Sequence, residues 1–155
     1  MMTELPLLEV FIRLATATGF GAIIGIDRDF REKPTGARTL ALVGLGSAVA
    51  SLAAIKAGDS DGFSRVAQGI LAGIGFIGAG VILKRPETGT VEGLTTAAAI
   101  WVTSAVGMIC ALGYWDTAAL ATLIAVAILL INFPKKSAQS QPAADPSKRS
   151  PTIGE

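Results

Sequence analysis

The chain has 155 residues, 51% of them hydrophobic and only 16% charged, and its mean hydropathy is +0.58. A soluble domain carries roughly a quarter charged residues, so this chain is poor in charge. Thirteen Lys and Arg against twelve Asp and Glu leave a net charge of +1, which excludes the basic footprint of a nucleic-acid binder, and the absence of histidine excludes a histidine metal site, a Ser-His-Asp triad and a histidine proton relay.

The few charges are placed so as to leave long apolar windows. A hydrocarbon core about 30 Å thick takes roughly 17–25 apolar residues of helix. Charge-free stretches of that length lie at 39–55 and 66–83, between Glu92 and Asp116, and between Asp116 and Lys135. A fifth, 7–26, reaches that length only by including Arg13, with Glu9 one turn before it. A helix of a soluble protein keeps one polar face, and these windows have none. The expectation is an all-α, polytopic bundle of five spans at 7–26, 39–55, 66–83, 94–112 and 117–133, forming a membrane domain over 1–134. The lipid bilayer is its first partner.

The N-terminus carries Glu4 and Glu9 instead of the basic start of a signal peptide, so span one is expected to stay in the mature protein. Arg13 sits inside it, and a charge at mid-membrane costs at least ~2.5–3.5 kcal/mol. Either Arg13 snorkels beside Glu9, or it faces the bundle and fixes an anion or a partner carboxylate. Gly21 and Gly25 form a small-residue pair suited to close helix approach. Just beyond the span, Asp27 offers a carboxylate to a hard cation such as Mg2+, or forms half of a surface pair with Arg28 or Arg31. No other metal or cofactor is expected.

Arg38 and Thr39 open span two, and Thr95 and Thr96 open span four. Their hydroxyls suit helix capping; together with the positive dipole ends, the two starts can also cradle an anionic group. In span three, Gly73-Ile74-Gly75-Phe76-Ile77-Gly78 matches the dinucleotide-binding pattern formally. It lies deep in an uncharged window, with Ala98 where an acid is needed, and is rejected on that ground. Gly69, Gly73 and Gly80 share one helical face, and Gly75 and Gly78 share the opposite one. Glycine on two faces predicts neighbours on both sides, which places span three at the centre of the bundle. The rival reading is a broken helix exposing carbonyls to an ion. Gln68, an amide inside the span, is expected to seek an interhelical hydrogen bond. Thr96, Ala99, Thr103 and Gly107 form a weakly polar stripe along span four that suits a helix contact better than a pore.

No constellation supports catalysis, because the hydroxyls lack a histidine base and Cys110 lies in an apolar span where a thiol is inert. The basic residues are asymmetric. Ten lie at one end of the spans (Arg28, Arg31, Lys33, Arg38, Lys84, Arg85, Lys135, Lys136, Lys148 and Arg149) against Lys56 and Arg65 at the other. The positive-inside rule then puts the N-terminus outside and the C-terminus in the cytoplasm. Residues 135–155 turn to Ser, Gln, Pro and charge, which predicts a disordered cytoplasmic tail. An internal repeat appears at an offset of 57 residues: Gly36-Ala37-Arg38-Thr39 aligns with Gly93-Leu94-Thr95-Thr96, Ser47-Ala48-Val49 with Ser104-Ala105-Val106, and Gly21-Ala22 with Gly78-Ala79. Either two parallel helical hairpins are repeated, or Gly/Ala-rich helices coincide by chance.

Three strings carry a family resemblance. Gly25-Ile26-Asp27-Arg28-Asp29 through Lys33-Pro34-Thr35-Gly36-Ala37-Arg38-Thr39 is one, and Arg65-Val66-Ala67-Gln68 running into Gly73 to Ile82 is the second. Gly93-Leu94-Thr95-Thr96-Ala97-Ala98 with Trp101 is the third. In this order they resemble the signature of the MgtC/SapB membrane proteins, over about residues 7 to 133. The resemblance implies a bacterial inner-membrane protein linked to growth in low magnesium and, in pathogens, to survival inside macrophages. It also implies other membrane proteins as partners, with inhibition of the ATP synthase through its membrane sector as the role of some members. A homo-oligomer is a further expectation. Founding members carry a cytosolic domain after the membrane part; this sequence is expected to end in the short tail instead. Two functions follow as expectations: a regulatory or interaction protein in magnesium adaptation, or a small divalent-cation transporter or channel with Asp27 at its mouth.

Overall fold

Each apolar window becomes a helix, and the residues that flank it explain where it stops. The computed structural model describes residues 5–131, except 32, 34, 59, 60, 85, 87 and 88. The tail at 135–155, the end of the fifth window at Asn132 and Phe133, and Glu4, Pro34, Asp59 and Arg85 lie outside the described residues. The helices are α1 (Leu7–Phe30), α2 (Ala37–Lys56), α3 (Gly62–Gly80), α4 (Leu94–Leu112) and α5 (Trp115–Leu130). Between α3 and α4, β1 (Leu83–Lys84) pairs antiparallel with β2 (Val91–Glu92), a small ladder the apolar windows did not announce.

Pro6, whose ring suits the first turn of a helix, precedes α1. α4 is bracketed by glycines at both ends, Gly93 with φ +92° and Gly113 with φ +83°. At its C-terminus the Gly113 N–H donates to the Cys110 carbonyl at 3.0 Å and the Tyr114 N–H to the Ile109 carbonyl at 3.3 Å. That is the Schellman closure, which needs a left-handed residue at Gly113. α1 runs a full turn past Ile26 and carries Asp27 and Arg28 as helical residues. α3 starts a turn earlier than the charge-free window, at Gly62, and runs unbroken to Gly80.

Four helices, α1 to α4, are long and apolar enough to cross a membrane. α5 has 16 residues, about 24 Å at 1.5 Å per residue. It nonetheless runs the height of the bundle, from beside Gly113 to Leu130, whose carbonyl accepts a hydrogen bond from Arg31 at 3.4 Å.

The core is formed by α1, α2 and α4, whose backbones touch. A side chain on Gly44 would strike the Ala17 carbonyl of α1, and one on Gly107 of α4 would strike the backbone of Gly44. Apolar packing continues on either side of this crossing, with Ala17, Ala48, Leu52, Val106 and Cys110 towards one end and Ile24, Leu40, Ile74, Ala99 and Ile100 towards the other.

The central position expected for α3 is corrected. Ten of the 19 residues of α4 are buried, whereas α3 buries only Ile74 and Gly78. A Cβ on Gly69, Gly73, Gly75 or Gly80 would meet nothing within 4 Å, and one on Gly78 would meet Ala97 of α4 at 3.5 Å. Glycine marks a surface that permits close approach without saying what approaches it. The helix at the centre is the one with small and hydroxyl side chains around its whole circumference, and that is α4.

The repeat has a structural counterpart. Gly21 lies against Leu40, and Gly78, 57 residues on, lies against Ala97, which is 57 residues on from Leu40. Likewise Gly25 abuts Gly36 and Ala37, while Gly93 abuts Ile82. The same hairpin contacts recur at the sequence offset.

Candidate functional site

The last turn of α1 is charged, and a step of 100° per residue sends consecutive side chains to different neighbours. Asp27 and Arg31 are one turn apart, and the Arg31 Nε donates to Asp27 Oδ1 at 2.8 Å. Arg31 also reaches the Leu130 carbonyl at the end of α5, the negative end of that helix dipole. Arg28 points the other way, into α4, where its Nη2 donates to Thr96 Oγ1 in the first turn. Arg28 is 4% exposed and Thr96 1%. Asp29 turns outward and accepts the Ala37 N–H at 2.9 Å through Oδ2, so a carboxylate sits at the start of α2. Gly36 makes the room, since any Cβ there would collide with the Asp29 carboxylate.

Four elements thus converge on one end of the bundle: the C-termini of α1 and α5 and the N-termini of α2 and α4. Two atoms in this cluster, Asp27 Oδ2 and Arg28 Nε, are buried and have no hydrogen-bond partner. Of the residues singled out by sequence, the structure gathers Asp27, Arg28 and Thr96 here, with Gly25 in contact with the start of α2. Arg38, Thr39 and Thr95 stand at the same helix starts but are exposed. Gln68 is exposed in the first half of α3, away from this cluster.

Arg13 lies towards the opposite end, beside Glu9 and turned to the end of α4. Its Nη2 donates to Glu9 Oε1, one turn back, and its Nη1 to the Ala111 carbonyl in the last turn of α4. Its Nε is buried without a partner.

Between the two ends, the interior hydroxyls of Thr103, Ser104 and Thr122 donate to carbonyls of their own helices, each at 2.8 Å. Among the described residues, no group of three His, Cys, Asp or Glu side chains is gathered that could hold a metal ion. Asp27 is the buried carboxylate of the cluster and is shared with Arg31. The arrangement is therefore an interlocked set of opposite charges, with one free carboxylate oxygen and one free guanidinium N–H.

Sequence reasoning missed Asp29, Gly36, Thr35 and Gly44. Thr35 is 2% exposed although it lies in the connection between α1 and α2. The signal for Asp29 was present: an acid a few residues before a glycine that opens a helix is a cap in waiting, provided that the loop folds back.

Comparison with known proteins follows from the same residues. The model of the family described as MgtC family matches residues 14–137. The chain is 41% identical to Protein SrpB of Synechococcus elongatus over 134 residues, covering 79% of this chain and 74% of that protein. It is 38% identical to Protein MgtC of Salmonella typhi over 152 residues, covering 96% of this chain and 64% of that one. Against Protein MgtC of Brucella abortus it is 42% identical over 124 residues, 79% of this chain and 51% of that one. The chain thus spans between half and three quarters of the length of these curated relatives. No solved structure matches it.

Proposed function

Because the chain belongs to the MgtC family of membrane proteins, we propose that it is a regulatory protein that binds other membrane proteins while the cell adapts to scarce magnesium. In this reading it lies in the bacterial inner membrane with the charged end of α1 facing the cytoplasm, as the ten-to-two distribution of basic residues favours. Its partners are proteins of the same membrane, the membrane sector of the ATP synthase among them. The exposed cations around the site, Lys33 and Arg38, are placed to meet an acidic partner surface.

The observation that carries this reading over transport is the closed interior. The backbones of α1, α2 and α4 touch at Gly44 and Gly107, and the Thr103 and Ser104 hydroxyls are spent on their own helices, which leaves Ser51 Oγ as the buried hydroxyl without a partner among the described residues. Magnesium is bound by oxygen ligands and sheds its water reluctantly, so a path for it needs oxygens left free along its length. The test is magnesium flux into liposomes that contain only this protein. No flux above that of protein-free vesicles is expected; flux that disappears in Asp27→Ala would establish the transporter instead. On the regulatory reading, Asp27→Asn at wild-type abundance fails to support growth in low magnesium, because it removes the charge that holds Arg31 while preserving size. Normal growth would remove Asp27 from the functional surface.

A further inference from the structure

The starts of α2 and α4 are counterparts in the repeat, and they are completed differently. Both begin after a glycine, Gly36 and Gly93, that offers no side-chain cap. At α2 the chain supplies its own anion, the Asp29 carboxylate on the Ala37 N–H. The residue 57 positions after Asp29 is Pro86, which has no carboxylate to give. Glu92, just before Gly93, already has a partner of its own.

What the chain brings to the start of α4 is a cation. The Arg28 guanidinium lies against Thr96 in the first turn, almost fully buried, beside the positive end of the helix dipole. Burying a cation costs several kcal/mol unless it is paired, and a helix N-terminus is the wrong neighbour for it. The carboxylate next to it in sequence is turned to Arg31. Arg28 Nε is buried with nothing to donate to. Arg28 and the start of α4 both call for an anion, and the one carboxylate beside them, Asp27, is bound to Arg31 through Oδ1 and keeps Oδ2 buried without a hydrogen-bond partner.

We propose that the start of α4 is an oxyanion site that takes a phosphate group on the free edge of the Arg28 guanidinium, beside the Thr96 hydroxyl and the positive end of the helix. A guanidinium fork matches the oxygens of phosphate, and a helix N-terminus favours the same charge. Because Arg28 stands at the end of a membrane-spanning helix, two sources share this chemistry, a phospholipid headgroup and free phosphate. The proposal concerns the same end of the bundle as the regulatory reading. Binding by the purified chain tests it separately from growth or flux.

The experiment uses the full chain, purified and delipidated in detergent. The thermal midpoint is followed against inorganic phosphate, with sodium chloride at matched ionic strength as the control. In parallel, native mass spectrometry records retention of phosphatidic acid against diacylglycerol, which lacks the phosphate. Wild type is expected to show a saturable rise with phosphate, selective retention of phosphatidic acid, or both; the arm that responds names the source. Arg28→Gln weakens that binding by about tenfold or more, the loss of one charge-assisted contact, and Thr96→Val weakens it less. Arg13→Gln lowers the midpoint but keeps the response. No response in either arm overturns the proposal, as does a response unchanged in Arg28→Gln. Should Arg28→Gln fail to fold, Thr96→Val decides, since it keeps the shape of the side chain, and unchanged binding in it counts against the site.

Discussion

α1 holds α4 at both ends with an arginine, and the two ends are built on opposite electrostatic terms. Arg13 meets the Ala111 carbonyl in the last turn of α4 and the Glu9 carboxylate, so charge, dipole and counter-ion all agree. Arg28 meets the first turn of the same helix, where the dipole opposes it, through a neutral hydroxyl. The two residues are 15 positions apart on one helix, about 22 Å at 1.5 Å per residue, a separation that suits the length of α4. The first contact is a clamp whose stabilising terms are visible. The second is a departure from what stability alone would choose, and such departures concentrate at functional sites.

The comparison breaks most readily at the midpoint of α4. Gly107→Leu would push α4 off the backbone of Gly44 and release both arginine contacts together. The expected cost is at least about 3 kcal/mol, read as loss of the monodisperse folded species on size exclusion in detergent; a wild-type elution profile and midpoint would show that the ends hold α4 without the crossing. Arg13→Gln comes next, at about 2 kcal/mol, from one charge-assisted hydrogen bond and a favourable dipole term. Denaturant unfolding in mixed micelles measures it. If Arg13→Gln and Arg28→Gln cost the same in phosphate-free, delipidated protein, the two ends do not differ and the contrast is lost. The smallest effect belongs to Gly113→Ala, about 1–2 kcal/mol for a left-handed residue. The added methyl would lie 3.1 Å from Arg13 Nη2, so the variant also weakens the clamp.

What the sequence disclosed and what it hid divide along physical lines. Charge-free windows announce helices because a bilayer tolerates little else, and 94–112 coincides with α4 because glycines bracket it. The end of α1 was read short, since Asp27, Arg28 and Asp29 look like a loop until their partners are known. Those partners are remote: Thr96 is 68 residues from Arg28, and Ala111 is 98 from Arg13. The glycine pattern of α3 pointed to the centre of the bundle, and α4 occupies it. A pattern on one helix encodes how closely something can approach, whereas position in a bundle depends on all the helices at once. Asp27, Arg28 and Thr96 were legible as candidates from their chemistry. That Asp27 turns to Arg31 while Arg28 turns to α4 follows from helical phase, which needed the true end of α1.

The shallow seat of α3 sets the order in which the molecule comes apart. α3 rests on its neighbours through Ile74 and Gly78, while its backbone hydrogen bonds are internal to the helix, as bilayer spans require. Detaching it within the membrane exchanges a few protein contacts for lipid and exposes no peptide group. α1, α2 and α4 share backbone contacts that none can leave without disturbing the other two. The openings of lowest free energy are therefore lateral departures of the two helices seated on two buried residues each, α3 and α5, and the three-helix core is the last unit to dissociate.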